Sequence, residues 1–244
     1  MSDTRGSYPA TEKPRKTNGD VVKKLALMIL VLSAAMPAQS QVRRRVPNIV
    51  EPSTWISGGI GLFNGNGVND GNSSSSWDFG NATTPLYRLA IDQVVGRNIS
   101  VGATTTYTHV PFTYRGDEGC GQCAAHLDMW TLGATARYGG GLGLHQVLEG
   151  TAGIVDYSNL KSDADKTKLP PSGGNIDPYF VFGVGFGYTM NPQMEISIVQ
   201  DFGLGLHERD GLTSQDSNTL RQRTLRLNFR YGLGNRASTN KPRR

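Results

Sequence analysis

The chain has 244 residues, 37% of them hydrophobic, with 31 glycines and 12 prolines. Beyond residue 40 no apolar run reaches the ~20 residues that a membrane-spanning helix takes, so a helical membrane protein is excluded for that part. Residues 1–40 carry six Lys/Arg and three Asp/Glu, so the 25 and 20 of the whole chain fall to 19 and 17 over residues 41–244, a net +2 that is no nucleic-acid signature. Aromatic and basic residues do not interleave in a patch either.

Lys23 and Lys24 precede an apolar run from Leu25 to Met36, followed by Pro37-Ala38-Gln39-Ser40. A basic stretch, an apolar run too short to span and small residues at the end make a cleavable export signal, with cleavage expected after Ser40. The polar residues 1–20 are an atypical extension ahead of it. Residues 41–53 are basic and contain proline, and read as a flexible lead-in on the periplasmic side.

From Trp55 onward the apolar period is two, the period of strands. Trp55 to Phe63 sets Ile56, Ile60 and Leu62 against Ser57, Gly59 and Gly61. An Asn/Gly/Ser-rich loop, residues 64–81, follows. Pro85 to Val95 sets Tyr87, Leu89 and Ile91 against Arg88, Ala90 and Asp92. After a short Gly96-Arg97-Asn98 turn, Ile99 to His109 alternates Val101, Ala103 and Tyr107 with Gly102, Thr104 and Thr106. Pro111 to Ala125 reads as a second long loop. His126 to Tyr138 and Gln146 to Tyr157 are strands joined by a glycine-rich link, and residues 158–175, with a Pro-Pro pair, form a third long loop.

The plainest alternation lies in Pro178 to Leu206. Phe180, Phe182, Val184, Phe186 and Tyr188 fall on one face, and Tyr179, Val181, Gly183, Gly185 and Gly187 on the other. Asn191-Pro192 turns the chain, and the return strand sets Met194, Ile196 and Ile198 against Glu195, Ser197 and Asp201. A fourth long loop, residues 208–221, leads to Gln222–Tyr231, where Leu225, Leu227, Phe229 and Tyr231 oppose Thr224, Arg226, Asn228 and Arg230. The three spaced glycines are no phosphate loop, because they share one strand face and no helix follows.

Eight strands of ~10–12 residues with connections alternating long and short predict an all-β fold: an eight-stranded antiparallel up-and-down transmembrane barrel, large apolar residues outside, small and charged residues inside. With this architecture over residues 54–231, the chain resembles the small eight-stranded outer-membrane barrels, the OmpA/OmpX-like transmembrane domains. Thr224 and the Phe229-Arg230-Tyr231 ending resemble the signal read by the barrel-assembly machinery, although Arg226 stands where glycine is usual and a basic tail, residues 232–244, follows. The resemblance implies short turns facing the periplasm, long loops facing out, residence in outer-membrane lipid as a monomer, and contact with the assembly machinery during biogenesis.

The inward charges are Arg88, Arg137, Arg226 and Arg230 against Asp92, Glu149, Glu195 and Asp201. An eight-stranded lumen is just wide enough for side chains, so these charges must pair, and a static polar plug is favoured over an ion path. Cys120 and Cys123 are the two cysteines. A CxxC pair can be a redox centre or half a metal site; after export through an oxidising compartment, a disulfide within the loop is the plain expectation. His109 and His126 flank that loop, and with the cysteines they are the residues to weigh for a metal. No Gly-x-Ser-x-Gly motif is present. The expected function is therefore a non-enzymatic structural or surface-interaction protein without a cofactor, with an unidentified extracellular partner. A narrow solute channel, a lipid-modifying enzyme and a secreted calycin-like binder of an apolar ligand are the alternatives.

Overall fold

The computed structural model describes residues 52–71, 73–80, 82–117, 119–171, 175–207 and 219–234. The export signal, most of the lead-in, most of the fourth loop and the tail past Gly234 lie outside them. Among the described residues the chain forms β1 (Thr54–Gly65), β2 (Val68–Asp70), β3 (Ser75–Asp78), β4 (Thr84–Gly96), β5 (Ile99–Gly116), β6 (Gln122–Tyr138), β7 (Gly143–Ser162), β8 (Asn175–Asn191), β9 (Met194–Leu206) and β10 (Thr219–Leu233). All pairings are antiparallel; barrel strands pair with their neighbours in the ring, β1 joining both β4 and β10, while the β2–β3 hairpin pairs outside the ring onto β5. The β1–β10 seam runs from Thr54↔Leu233 to Gly65↔Gln222 and closes a barrel of eight strands. Closure leaves no unpaired barrel edge, as lipid demands.

Residue parity follows the expected alternation through the middle of every barrel strand. Ile60, Leu89, Leu132, Phe182, Ile198 and Leu227 are exposed on the outer wall, whereas Arg88, Thr104, Arg137, Glu149, Asp201 and Arg226 are buried. The exposed leucines, isoleucines and aromatics form the greasy band that suits lipid.

The strands differ from expectation at the loop end. β5 has 18 residues and β7 has 20. At about 3.3 Å per residue they greatly exceed a tilted crossing of an apolar band about 25 Å tall. The stretch read as a second long loop is mostly strand: β5 and β6 stay paired from Ile99↔Tyr138 to Arg115↔Gln122, so only residues 117–121 connect them. Pro111 misled because proline lacks a ladder donor. Here it lies between Thr108 and Thr113, where β5 has no registered partner on its β4 and β3 side, so a missing N–H costs least. The first loop contains the β2–β3 hairpin, which pairs onto the projecting end of β5 through Ser75↔Gly116 and Asp78↔Thr113. The last strand runs to Leu233, and Ser53 donates its backbone N–H to the Leu233 carbonyl at 3.0 Å.

In the projecting part the alternation inverts while β5 and β6 keep one register, although β7 shifts register against β6 between His126 and Asp128. Inward positions become apolar, with Val110, Phe112 and Tyr114 on β5, Ala125, Leu127 and Met129 on β6, and Val155 and Tyr157 on β7. Outward positions become polar, with His109, Thr113, Arg115, His126 and Asp128. The same sheet thus passes from lipid, where the outside must be greasy, to water, where the inside must be.

Candidate functional site: a charged lumen beneath an apolar cap

Arg137 and Glu149 stand directly opposite on β6 and β7, so sheet register alone brings them together. Glu149 also meets Arg226 of β10 and, at 3.3 Å, Arg88 of β4. Arg226 continues to Asp201, Arg137 to Glu195, and Arg230 bridges Glu195 at 3.3 Å and Asp92 at 3.1 Å. The structure therefore joins all eight inward charges named from the sequence in one chain of ion pairs across the lumen. The four guanidinium residues are 3–8% exposed. Buried ions need this arrangement, because several kcal/mol of desolvation per ion is offset only by close partners and further hydrogen bonds. Thr104 accepts from Arg88 Nε at 2.9 Å, Asn228 accepts from Arg226 at 3.0 Å, and Trp55 lies face-on to Arg230 at 4.7 Å.

The glycine face of β8 makes this packing possible. Gly183 is registered between Glu149 on β7 and Asp201 on β9. A Cβ there would lie 2.4 Å from Asp201 Oδ1 and 2.9 Å from Val199. At Gly187 a Cβ would meet His145 Nε2 at 2.6 Å. His145, which was read as part of a glycine-rich link, in fact lies on β7 with its Nε2 3.6 Å from Glu195. Its parity with Val147 and Glu149 was the signal that placed it inside.

Among the described residues, two spaces open within the lumen. One of about 180 Å³ opens at the turn end beside Trp55, Glu195 and Arg230; one of about 30 Å³, room for a water or so, lies among Arg88, Glu149, Tyr179 and Arg226. They share no lining residue. Arg137, bound to Glu149 of the inner space and Glu195 of the outer, stands between them.

Above the inner space the apolar cap begins. Trp77 of β3 is fully buried, with ring centroids 6.3 Å from Phe112, 5.6 Å from Tyr157 and 5.2 Å from His207. Its indole N–H donates to Ser75 Oγ at 3.0 Å, as a buried indole requires. His207 is buried beside it and pairs with Asp177 through Nδ1 at 2.6 Å, while Asp70 of the hairpin lies 4.0 Å from Nε2. The first loop is thereby pinned over the barrel mouth by an aromatic anchor and a buried polar contact. Trp77 and Phe79, two apart in an otherwise Ser/Asn/Gly-rich loop, were the legible trace of this hairpin.

The remaining sequence candidates fall elsewhere. Cys120, in the short β5–β6 connection, and Cys123, at the start of β6, form a disulfide. His109 and His126 lie on the outer wall, with rings 5.0 Å apart. His109 Nδ1 is 2.8 Å from Asp128 and His126 Nδ1 is 2.7 Å from Asp163. The His126 hydrogen bond is the main cause holding the Asp163 carboxyl below its usual range. For Asp128, burial acts upward but is outweighed by hydrogen bonds from His109, Asn159 and Tyr107, which hold its carboxyl low. Among the described residues no cluster brings three metal-ligating side chains together. Phe229 and Tyr231 are exposed on the lipid-facing side of β10, and Thr224 is buried. Phe180 and Phe182, which a calycin-like binder would turn inward, are 48% and 54% exposed; the large apolar face points outward.

No protein-family model matches the chain, and no curated protein sequence does. Solved structures do. Neisserial surface protein A is 11% identical, with a TM-score of 0.50 over 74% of this chain and 97% of that one. This chain has the fold of the small eight-stranded outer-membrane barrels. The outer membrane protein OprG from Pseudomonas aeruginosa is 9% identical over 75% of this chain and 98% of that one, TM-score 0.48. The outer membrane protein AlkL, solved in lipid bilayers, is 14% identical over 82% and 99%, TM-score 0.43. The three tight connections, near residues 97–98, 139–142 and 192–193, lie at one end of the barrel and the cap at the other.

Proposed function

We propose that the protein is a non-conducting outer-membrane barrel that acts without catalysis, stiffening the envelope and presenting its rigid cap for surface interaction. The observation that carries this reading is the double closure of the lumen, by eight interlocked charges at membrane depth and by the Trp77-centred core above them. A channel needs a continuous wet path, and here a chain of ion pairs and an apolar core lie one above the other across the bore. Against a hydrolase, the hydrogen bonds of His109, His126 and His145 go to carboxylates or a backbone carbonyl, whereas nucleophilic catalysis needs a hydroxyl beside the base. Export by the N-terminal signal, insertion with the help of the barrel-assembly machinery and monomeric residence in outer-membrane lipid belong to the same proposal. Planar-bilayer recording on purified, heat-modifiable protein tests it: a flat baseline is expected, and reproducible unitary steps would establish the channel instead.

A further inference from the structure

The outer wall of the projecting sheet carries a feature that neither closure nor membrane insertion uses. His109 on β5 faces Asp128 on β6, and His126 on β6 faces Pro111 on β5, so the two histidines are diagonal cross-strand neighbours. Their ring centroids lie 5.0 Å apart at an interplanar angle of 41°. Each ring has a different carboxylate at Nδ1, Asp128 at 2.8 Å and Asp163 at 2.7 Å. An Nδ1–H donated to a carboxylate leaves the lone pair on Nε2, and no partner for either Nε2 is seen among the described residues. A carboxylate behind the distal nitrogen is the usual support of a metal-bound imidazole, fixing its tautomer and raising its basicity.

We propose that His109 and His126 together bind one divalent first-row transition ion of the zinc and copper class through their Nε2 atoms on the outward face of the extracellular cap.

Imidazole suits these ions, and copper binds most tightly in the first-row series. Bonds of roughly 2.0–2.1 Å place two ligand nitrogens about 3–4 Å apart, within reach of two rings at this separation. The supports are themselves held. Asn159 donates to Asp128 at 2.7 Å and the Tyr107 hydroxyl at 3.0 Å, while Lys166 donates to Asp163 at 3.3 Å. Lys161 is registered opposite His126. Asp128 and Asp163 thus set two carboxylates against these two lysines. Water fills its other positions. The cysteines contribute no thiolate while paired with each other.

The test uses untagged mature protein folded in detergent micelles, with the disulfide verified by mass and any free thiol blocked. Calorimetric titration with zinc chloride at pH 7.5 should give one ion per barrel. His109→Ala and His126→Ala should each weaken binding about 10-fold or more, and the double variant should abolish it. Asp128→Asn should weaken it by about 10–100-fold through loss of support alone. Binding should weaken as the pH is lowered, because proton and metal compete for the same imidazole nitrogen. The copper-loaded protein should show two nitrogen ligands by electron paramagnetic resonance, reduced to one in either single variant. Heat-modifiable migration verifies that each variant is folded. Absence of zinc and copper binding at pH 7.5, or stoichiometric binding that survives in the folded double variant, would overturn the site.

Discussion

Glu149 is the residue on which the lumen turns. It pairs with three arginines on three strands, so neutralising it takes a carboxylate partner from Arg88, Arg137 and Arg226 at once. Glu195 and Asp201 remain for the latter two, while Arg88 keeps no ion pair among the described residues. Breaking a buried ion pair from one side costs about 3–5 kcal/mol. Glu149→Gln should therefore lower the denaturant midpoint of the micelle-folded protein far more than Arg88→Leu, which leaves Glu149 two partners. Equal shifts would mean that the network is not organised around this carboxylate. Gly183 makes the complementary case. Gly183→Val pushes atoms into Asp201 and Val199, while Gly150→Ala, on the outer wall with nothing within 4 Å of its new Cβ, should be neutral. Overpacking costs about 1–3 kcal/mol, so the two variants should separate clearly in the same unfolding assay.

Among the elements, the β2–β3 hairpin depends most on one side chain. Truncating a buried tryptophan costs about 3–5 kcal/mol, and for Trp77→Ala that loss falls on the hairpin, which has a single strand partner in β5. Limited proteolysis of Trp77→Ala should cut within residues 66–83 while the barrel still migrates as a heat-modifiable band; loss of the band would show that the cap and barrel fold as one unit. The outer wall of the cap should respond to acid. Asp128 and Asp163 are both held below their ordinary range in the folded protein, by His109, Asn159 and Tyr107 in one case and chiefly by His126 in the other. The stabilisation they contribute is thus complete above the unfolded value of about 3.9 and is lost as pH falls through the lowered folded value. Protease sensitivity of residues 158–171 should stay flat from pH 8 to 5 as far as these groups decide it, and rise only below about pH 4. A rise already at pH 5 would assign the opening to other groups.

At the scale of the molecule, closure is double and the two layers are independent. Arg137→Ala with Glu195→Ala removes the divider between the two internal spaces but leaves the Trp77 core above it. Deleting residues 66–80 removes the hairpin but leaves the charges. Neither variant alone should conduct in planar bilayers, and the combination should. Conductance in either single variant would show that one layer carries the whole barrier.

The sequence by itself determined the barrel. Period-two alternation, with Phe180 and Phe182 outside and Arg226 and Glu149 inside, is local information, because a strand's two faces are set by adjacent residues. The alternating connections then ordered the strands around a ring, and sign balance among the inward charges required that they pair. Which charge meets which was not legible: Arg226 finds Glu149 across 77 positions only because closure and register bring β10 over β7. The cap was hidden for a related reason. Val110, Phe112 and Tyr114 alternate as regularly as the membrane strands do, but the buried parity carries the apolar residues there, and only the point where the sheet leaves lipid says which face is inside. That point, and the folding of Trp77 over the mouth, are properties of the closed barrel and its solvent boundary, so the tertiary structure decided them.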